Sequence, residues 1–369
     1  MSNKLKNVIV TMVFVAFLAT FVGMCVFSYF NQVETSEAER RPLAQFPKDI
    51  TWENILNKKV MEKFEDYVVD QFPLREFFRG LKAKFVLYVL NLNENNGLAV
   101  EDDYIAKIEG EFNPALLDYS IGRLAYIYEK YLVNNGGDKF ISLVPDKNYF
   151  LEKDYGYIGP DYDALAALVQ EKLPGMTYVD IFGALELEDY YRTDTHWSQD
   201  KLDDVVKLLA EAMGISDRLS GEYESHTLEG FKGVYYGQSA LKPKPDQLVY
   251  LTNDILDACT VFDYETGKTS SIYNFEAFNG KDGYDFFLSG TRALLRIDNP
   301  NATTDEELII FRDSFGSSLT PLLVEGYKSI YIVDIRYVMP DVLDRLIDFE
   351  GKDVLMMYSA LVLNQKAFK

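Results

Sequence analysis

The feature that most constrains the fold of this 369-residue chain is an alternation of short apolar runs with amphipathic segments. The apolar runs, typical of buried strands, occur at 140–144, 178–182, 308–311, 330–333 and 354–358. Segments with apolar residues at helical spacing separate these runs, at 164–173, at 202–213 after Ser198, at 319–323 and from Pro340 onward. Strands that alternate with helices predict a parallel sheet with helices on both of its faces. We therefore expect an α/β fold.

Residues 215–300 interrupt this alternation with short aromatic-rich runs, which are broken by Gly, Pro, Asn and Asp. The sequence Glu-Thr-Gly-Lys at 265–268 is typical of a hairpin turn. We expect a β-rich insertion here, within a main domain that spans residues 97–369.

The N-terminal part contains an uncharged apolar run at residues 7–30, which is long enough to cross the roughly 30 Å hydrocarbon core of a membrane. Lys4 and Lys6 precede the run, so the positive-inside rule predicts a cytoplasmic tail at 1–6 and an extracytoplasmic main domain. A cleaved signal peptide is the alternative. The length of the run and the lack of a small-x-small site near its end favour a single-pass transmembrane anchor.

Residues 31–96 are expected to form a stalk followed by two amphipathic helices. Polar residues and two prolines characterise 31–50, and apolar residues then recur at helical spacing on both sides of a break at 71–73. The apolar faces of these helices need a partner, and we expect them to pack on the main domain.

The charge balance limits the classes of partner. The chain has 37 basic and 58 acidic residues, a net charge of −21, which argues against nucleic acid or anionic lipid as the main partner. An uncharged sugar polymer fits better, although a polycation would fit as well. Cys25 and Cys259 are too differently placed to form a disulfide. Two histidines without a cysteine cluster make a zinc site unexpected, and no motif indicates a cofactor.

One of the two histidines, His196, follows Asp194 by two positions. In extended backbone such residues point the same way, so the carboxylate can orient the imidazole as it does in a hydrolase triad. A serine should complete the triad, and Ser314 follows the strand expected at 308–311, at the edge of the sheet where ligands bind. The alternative roles are structural: Ser314 as a helix N-cap, and His196 as an ordinary polar residue.

Other candidate residues carry weaker signals. Gln238 is a candidate donor to an oxyanion or to a sugar hydroxyl, and Lys147 and Arg336 are candidates to line the cleft. Trp197 and Tyr191, with the adjacent Tyr190, are candidates for a platform that stacks on sugar rings, or else for the core. His226 is a minor alternative to His196 as the base.

The motifs Asp-Thr-His-Trp at 194–197 and Asp-Ser-Phe at 313–315 resemble those of the DHHW family of SGNH-hydrolase-like proteins, which is related to the alginate O-acetylation proteins AlgJ and AlgX. Further matching motifs lie at 41–43, 70–75, 144–147, 236–239 and 284–290, so the resemblance covers most of residues 35–340. Arg312 stands where relatives often have a glycine before Asp-Ser.

The resemblance implies an SGNH-hydrolase-like sheet and a triad of nucleophile Ser314, base His196 and orienting acid Asp194. It also implies a membrane-anchored O-acetyltransferase that acts on hydroxyls of a secreted or cell-wall polysaccharide, with a membrane-bound O-acyltransferase as the acetyl-donating partner. An acetyl esterase with the same triad is the first alternative. A non-catalytic glycan-binding or scaffold subunit is the second.

Overall fold

The computed structural model describes residues 3–369, so Met1 and Ser2 of the tail expected at 1–6 lie outside the described residues. The chain divides into two compact units. The first comprises the described residues up to Asn95 together with Gly237–Lys242, and the second comprises Asn96–Tyr236 and Pro243–Lys369.

The first unit is mainly helical. Its longest helix, α1 (Asn3–Phe30), is the one helix within residues 3–369 that is long and apolar enough to cross a membrane. The remaining elements follow in chain order: β1 (Thr35–Ser36), β2 (Arg41–Pro42), α2 (Trp52–Leu56), α3 (Lys59–Asp70), α4 (Arg75–Tyr88) and β3 (Glu94–Asn95). The break between α3 and α4 confirms the two helices that the sequence predicts. Their outward apolar side chains are exposed, however, whereas the amphipathic pattern predicts that they are covered.

The second unit contains a mixed α/β structure. Its strands are β4 (Leu98–Glu101), β5 (Tyr104–Lys107), β6 (Lys139–Val144), β7 (Thr177–Tyr178), β8 (Glu224–Phe231), β9 (Asp246–Thr252), β10 (Thr260–Asp263), β11 (Lys268–Ser270), β12 (Leu294–Asp298), β13 (Glu307–Arg312), β14 (Ser329–Val333) and β15 (Asp353–Ser359). Its helices are α5 (Pro114–Ile127), α6 (Lys147–Tyr155), α7 (Tyr162–Lys172), α8 (Asp203–Met213), α9 (Val234–Gln238), α10 (Asp254–Ala258), α11 (Phe275–Phe278), α12 (Gly316–Leu319) and α13 (Ala360–Leu363).

The central sheet has eight strands in the order β11-β10-β12-β14-β13-β15-β6-β7. The five strands from β14 to β7 are parallel, whereas β10, β11 and β12 pair antiparallel at one edge. The predicted parallel sheet is therefore confirmed. The β-rich segment is also present, and it supplies three strands to this sheet, including the hairpin at 265–268.

Two hydrophobic cores cover the two faces of the sheet. On the central strand β13, Leu308 and Ile310 belong to one core, and Ile309 and Phe311 belong to the other. Side chains alternate between the faces of a strand, so a strand covered on both faces reads as a continuous apolar run. This explains why the sequence reveals β13 so clearly.

Some predicted elements are shorter or tighter than expected. The strand expected at 178–182 ends at Tyr178, because the Asp180 carboxylate accepts the Phe182 N–H at 3.0 Å and turns the backbone. The helix expected at 319–323 is α12 followed by a 3₁₀ segment, Thr320–Gly326, with Pro321 in its first turn. The helix expected from Pro340 is also 3₁₀, over Pro340–Arg345.

Candidate active site

Ser314 lies in the turn that joins β13 to α12, at the carboxyl end of the central strand. Asp313, which is buried, fixes this turn with both carboxylate oxygens. Its Oδ1 accepts the Phe315 N–H at 3.0 Å, and its Oδ2 accepts the Ser359 N–H at the end of β15 at 2.7 Å. The neighbouring strand therefore holds the serine in place.

A chain of hydrogen bonds joins Ser314 to the Asp-x-His motif. His196 Nε2 lies 2.7 Å from Ser314 Oγ, and His196 Nδ1 lies 2.5 Å from Asp194 Oδ1. The same carboxylate oxygen accepts the His196 N–H at 3.1 Å, and Asp194 Oδ2 accepts the Val234 N–H at 2.7 Å. Asp194 and His196 are buried, whereas Ser314 is partly exposed.

The surroundings of Asp194 keep its carboxylate ionised. Burial alone would raise its pKa, but the positive charge and hydrogen bond of His196, with the backbone N–H groups of Val234 and His196, outweigh burial. The pKa of Asp194 is therefore lowered below its ordinary value. An ionised carboxylate at Nδ1 favours the tautomer whose Nε2 is free to accept a proton from Ser314.

Aromatic rings fix the orientation of the imidazole. The ring of Tyr284 stacks on His196 with centroids 3.8 Å apart and planes within 3°, and Phe315 contacts the imidazole at 4.9 Å. The hydroxyl of Tyr284 is hydrogen-bonded to Ser318 Oγ at 2.8 Å, on the helix that follows Ser314. The imidazole of His196 is therefore held in part by the segment that carries Ser314.

The loop that carries the motif has little regular structure, and the buried carboxylate of Asp246 anchors it. Asp246 Oδ2 accepts the N–H and the hydroxyl of Thr193 at 2.8 and 2.6 Å, and Oδ1 accepts the Arg192 N–H at 3.2 Å. Thr193 Oγ1 in turn accepts the Gly233 N–H at 3.1 Å. A Cβ at Gly233 would lie 2.3 Å from the Thr193 carbonyl oxygen and 2.4 Å from Asp194 Cβ, so only glycine fits.

Lys147 supports the same loop through backbone carbonyl groups. Its buried ammonium donates to the carbonyl oxygens of Ile105, Tyr191 and Arg192, at 2.9, 2.5 and 3.2 Å. Burial lowers the pKa of Lys147 to about 7, against the opposing effect of Asp194 and Asp246. Because the ammonium uses all three of its N–H donors on these carbonyl oxygens, Lys147 supports the backbone of the loop.

The chain is similar in sequence to one protein family and in structure to several solved proteins. Residues 183–333 match the family model described as DHHW protein. The chain is similar to a DHHW family protein from Eubacterium siraeum, at 24% identity and a TM-score of 0.60, over 74% of this chain and 94% of that chain. It is also similar to Bacillus cereus PatB1 solved with a sulfonyl adduct, at 19% identity and a TM-score of 0.56, over 74% and 96% of the two chains. None of the curated proteins compared with the chain matches its sequence.

The predicted resemblance to the DHHW family is confirmed. The structural similarities extend over about three quarters of the chain and show that these proteins share its α/β fold.

The structure brings Asp194, His196 and Ser314 together. Trp197 and Tyr191 are 0% and 4% exposed, so neither offers a face to a sugar ring, and the platform expectation is wrong for both. Trp197 instead donates from Nε1 to the Phe315 carbonyl oxygen at 3.1 Å and contacts Ser318 Oγ at 3.0 Å. His226 lies on β8, where Nε2 is 2.8 Å from Thr252 Oγ1.

The guanidinium of Arg336 is occupied away from the triad, and Gln238 is bound through its backbone. Arg336 pairs with Asp334 through Nε and Nη2, at 2.9 and 2.7 Å. Gln238 belongs to the first unit, where its carbonyl oxygen accepts from Arg79 at 3.0 Å. Arg312 occupies the position where relatives often have a glycine. It is fully buried, and its guanidinium lies 3.9 Å from the carboxylate of Asp334.

Several residues that support the triad are not evident from the sequence. Asp313 could have been found from its place beside the serine, and Tyr284 begins one of the motifs shared with the DHHW family. Asp246 and Gly233 carried no local signal, because their roles depend on a loop distant in sequence. Within residues 3–369, no group of three His, Cys, Asp or Glu side chains is placed to hold a metal ion.

We predict that Gly233→Ala displaces the Asp194 loop, because the new Cβ would overlap the Thr193 carbonyl oxygen. Hydrolysis of p-nitrophenyl acetate should fall by at least about tenfold, since small displacements of catalytic groups are costly. The matched control is Gly183→Ala, whose Cβ would meet nothing within 4 Å. Equal rates for the two variants would contradict the role assigned to Gly233.

Proposed function

We propose that the chain is a serine-dependent O-acetyltransferase that acts on hydroxyl groups of a secreted or cell-wall polysaccharide. The observation that carries this proposal is the continuous hydrogen-bond chain from Asp194 through His196 to Ser314. The resemblance to the DHHW family supports acetyl transfer as the reaction, and the excess of acidic residues disfavours an anionic polymer as the acceptor.

In the first half of the reaction, Ser314 Oγ attacks the carbonyl carbon of an acetyl ester while His196 Nε2 takes the hydroxyl proton. The tetrahedral intermediate collapses as the bond to the leaving oxygen breaks, and His196 returns the proton to that oxygen. The product is an acetyl ester on Ser314. Asp194 stays ionised throughout and stabilises the imidazolium.

In the second half, a sugar hydroxyl attacks the Ser314 ester and gives its proton to His196. The ester bond to Ser314 then breaks, and His196 returns the proton to Ser314 Oγ. The acetyl group is now on the sugar, and the enzyme is restored. Water in place of the sugar would release acetate, which makes the chain an esterase.

The Ser314 N–H is the best-placed donor for the oxyanion. The next three N–H groups all donate within the turn, from Phe315 and Gly316 to Asp313 and from Ser317 to the Ser314 carbonyl. Among residues 3–369, no acceptor takes the Ser314 N–H. A free N–H beside the nucleophile can stabilise negative charge as it develops on the carbonyl oxygen.

The proposed setting is the outer side of a membrane, with α1 as a single-pass anchor. This placement follows from the length and apolar character of α1 and from the lysines that precede its uncharged run. Acetyl groups made inside the cell must cross the membrane to reach such an enzyme. A membrane-bound O-acyltransferase is the proposed donor for that reason.

Replacing the nucleophile tests the triad. Ser314→Ala should reduce hydrolysis of p-nitrophenyl acetate by at least about 10³-fold, and His196→Ala should match it because the triad acts as a unit. His226→Ala is the control, since it removes the other histidine, which lies with Thr252 on another pair of strands. A Ser314→Ala protein that is folded and retains the wild-type rate would refute catalysis and favour the scaffold alternative.

The partition of acetyl between sugar and water separates the two enzymatic alternatives. With p-nitrophenyl acetate as donor, a panel of neutral oligosaccharides should yield acetylated sugar, and free acetate should fall below the nitrophenol released. Mass spectrometry of the sugars and an acetate assay measure the two products. Acetate equal to nitrophenol with every sugar in the panel would identify an esterase.

The anchor is tested on membranes from cells that express the full chain. The protein should remain in the membrane pellet after alkaline carbonate washing, because α1 is held by apolar burial, which salt and pH do not weaken. External protease should cleave the second unit in intact spheroplasts. A mature N-terminus after residue 25 would instead identify a cleaved signal peptide.

A further inference from the structure

Helix α4 has the reverse of the usual amphipathic arrangement. Five large apolar side chains project outward from it and are between 44% and 77% exposed: Phe77, Phe78, Leu81, Phe85 and Tyr88. At about 100° per residue they fall within an arc of about 100°, which we call the α4 stripe. In a helix that packs on a protein core such a stripe faces inward.

The polar face of α4 is the one that packs inside the first unit. The side chains of Arg75 and Arg79 are only 13% exposed. Both approach Glu39, at 2.5 and 3.5 Å, and Ala83 on the same face is fully buried. Because ion pairs hold the inward face, the outward direction of the stripe is set by the structure.

Aromatic rings connect the stripe to the apolar helix α1. Phe21 of α1 contacts Phe72 with centroids 5.5 Å apart, and Phe72 contacts Phe78 of the stripe at 5.6 Å. A cavity of about 670 Å³ opens beside these rings, and Phe27, Pro73 and Phe77 are among its lining residues. The surface from α1 to the stripe is therefore continuous and apolar.

The position of Phe21 indicates what surrounds this surface. Phe21 lies nine residues before Phe30, the end of the uncharged run, which corresponds to a rise of about 13 Å along α1. If α1 spans the bilayer, Phe21 and the Phe72 ring beside it lie within the hydrocarbon. A soluble partner cannot reach that depth.

The charges of α4 also suit a lipid surface. Of the four basic residues of the helix, Arg75 and Arg79 form ion pairs on the inward face, and the two lysines lie nearer the apolar arc. Lys82 and Lys84 border the stripe, where long side chains can extend toward headgroups while their stems lie on apolar surface. Trp52 of α2, 80% exposed, adds a ring of the kind that is enriched at membrane interfaces.

We propose that the α4 stripe is a membrane-binding surface, which inserts into the outer leaflet of the bilayer beside α1. The helix lies in the interface with its apolar arc in the acyl region and with Lys84, at the border of the stripe, near the headgroups. This inference rests on the proposed insertion of α1, and it adds a second attachment that orients the first unit on the membrane. It is independent of the catalytic assignment.

Spin labels in the full-length protein test the inference in vesicles of phosphatidylcholine and phosphatidylglycerol. Single labels are placed at Leu81→Cys and Phe85→Cys after Cys25→Ser, with Cys259 left in place because it is buried. Glu76→Cys is the matched control on the opposite side of α4. A label on the native Cys25, which is exposed on α1, reports whether the anchor is inserted.

We expect the ratio of oxygen to nickel-chelate accessibility to be several-fold higher at Leu81 and Phe85 than at Glu76, and to approach the ratio at Cys25. If the ratio at Leu81 and Phe85 equals that at Glu76 while Cys25 is lipid-exposed, the inference is wrong, although α1 is still a membrane anchor. Labels shielded from both reagents would overturn it in favour of a protein partner, here a second copy of the chain. A water-exposed label at Cys25 would refute both the anchor and the membrane-binding stripe. Hydrolysis of p-nitrophenyl acetate by the same samples tests catalysis separately.

Discussion

The site depends on the buried carboxylate of Asp246. The segment before His196 has no strand or helix to define it, yet its carboxylate and imidazole must meet Ser314 within hydrogen-bond distance. The Asp246 carboxylate accepts four hydrogen bonds from Arg192 and Thr193, and the ammonium of Lys147 donates to two carbonyl oxygens of the same segment. One buried anion and one buried cation thus hold the backbone of the loop from both its N–H and its carbonyl groups.

Buried charge of this kind is costly unless it is compensated, and the second unit compensates it in different ways. Asp246 is satisfied by close donors, whereas Lys147 bonds only to neutral carbonyls, and burial lowers its pKa to about 7. Arg312 is still less well paired, since its nearest carboxylate is 3.9 Å away and its Nε has no partner among the described residues. Both cations lie next to segments that carry members of the triad: Lys147 contacts the loop before Asp194, and Arg312 lies two residues before Ser314.

The sequence predicts the parallel sheet and the triad because both leave local signals. Strand β13 is buried on both faces and is followed at once by Ser314, and Asp194 and His196 stand two residues apart. The supports of the triad leave no such signal. Asp246 lies 53 residues from Thr193, and Trp197 and Tyr191 have the composition of a sugar platform but the burial of core residues. The α4 stripe illustrates a different limit of sequence-based prediction. The helical periodicity of apolar residues identifies an apolar face but does not show whether protein or lipid covers it.

The separation of His196 from Ser314 has a consequence for the folding of the chain. The two residues are 118 positions apart, and the base stacks on Tyr284, which itself contacts Ser318. Bringing such distant segments together costs loop-closure entropy that only the completed sheet offsets. A nascent chain that ends before β13 therefore lacks both Ser314 and the strand that positions it. The geometry of the site can form only once the chain extends through β15, because the Ser359 N–H at the end of that strand holds the turn that carries Ser314.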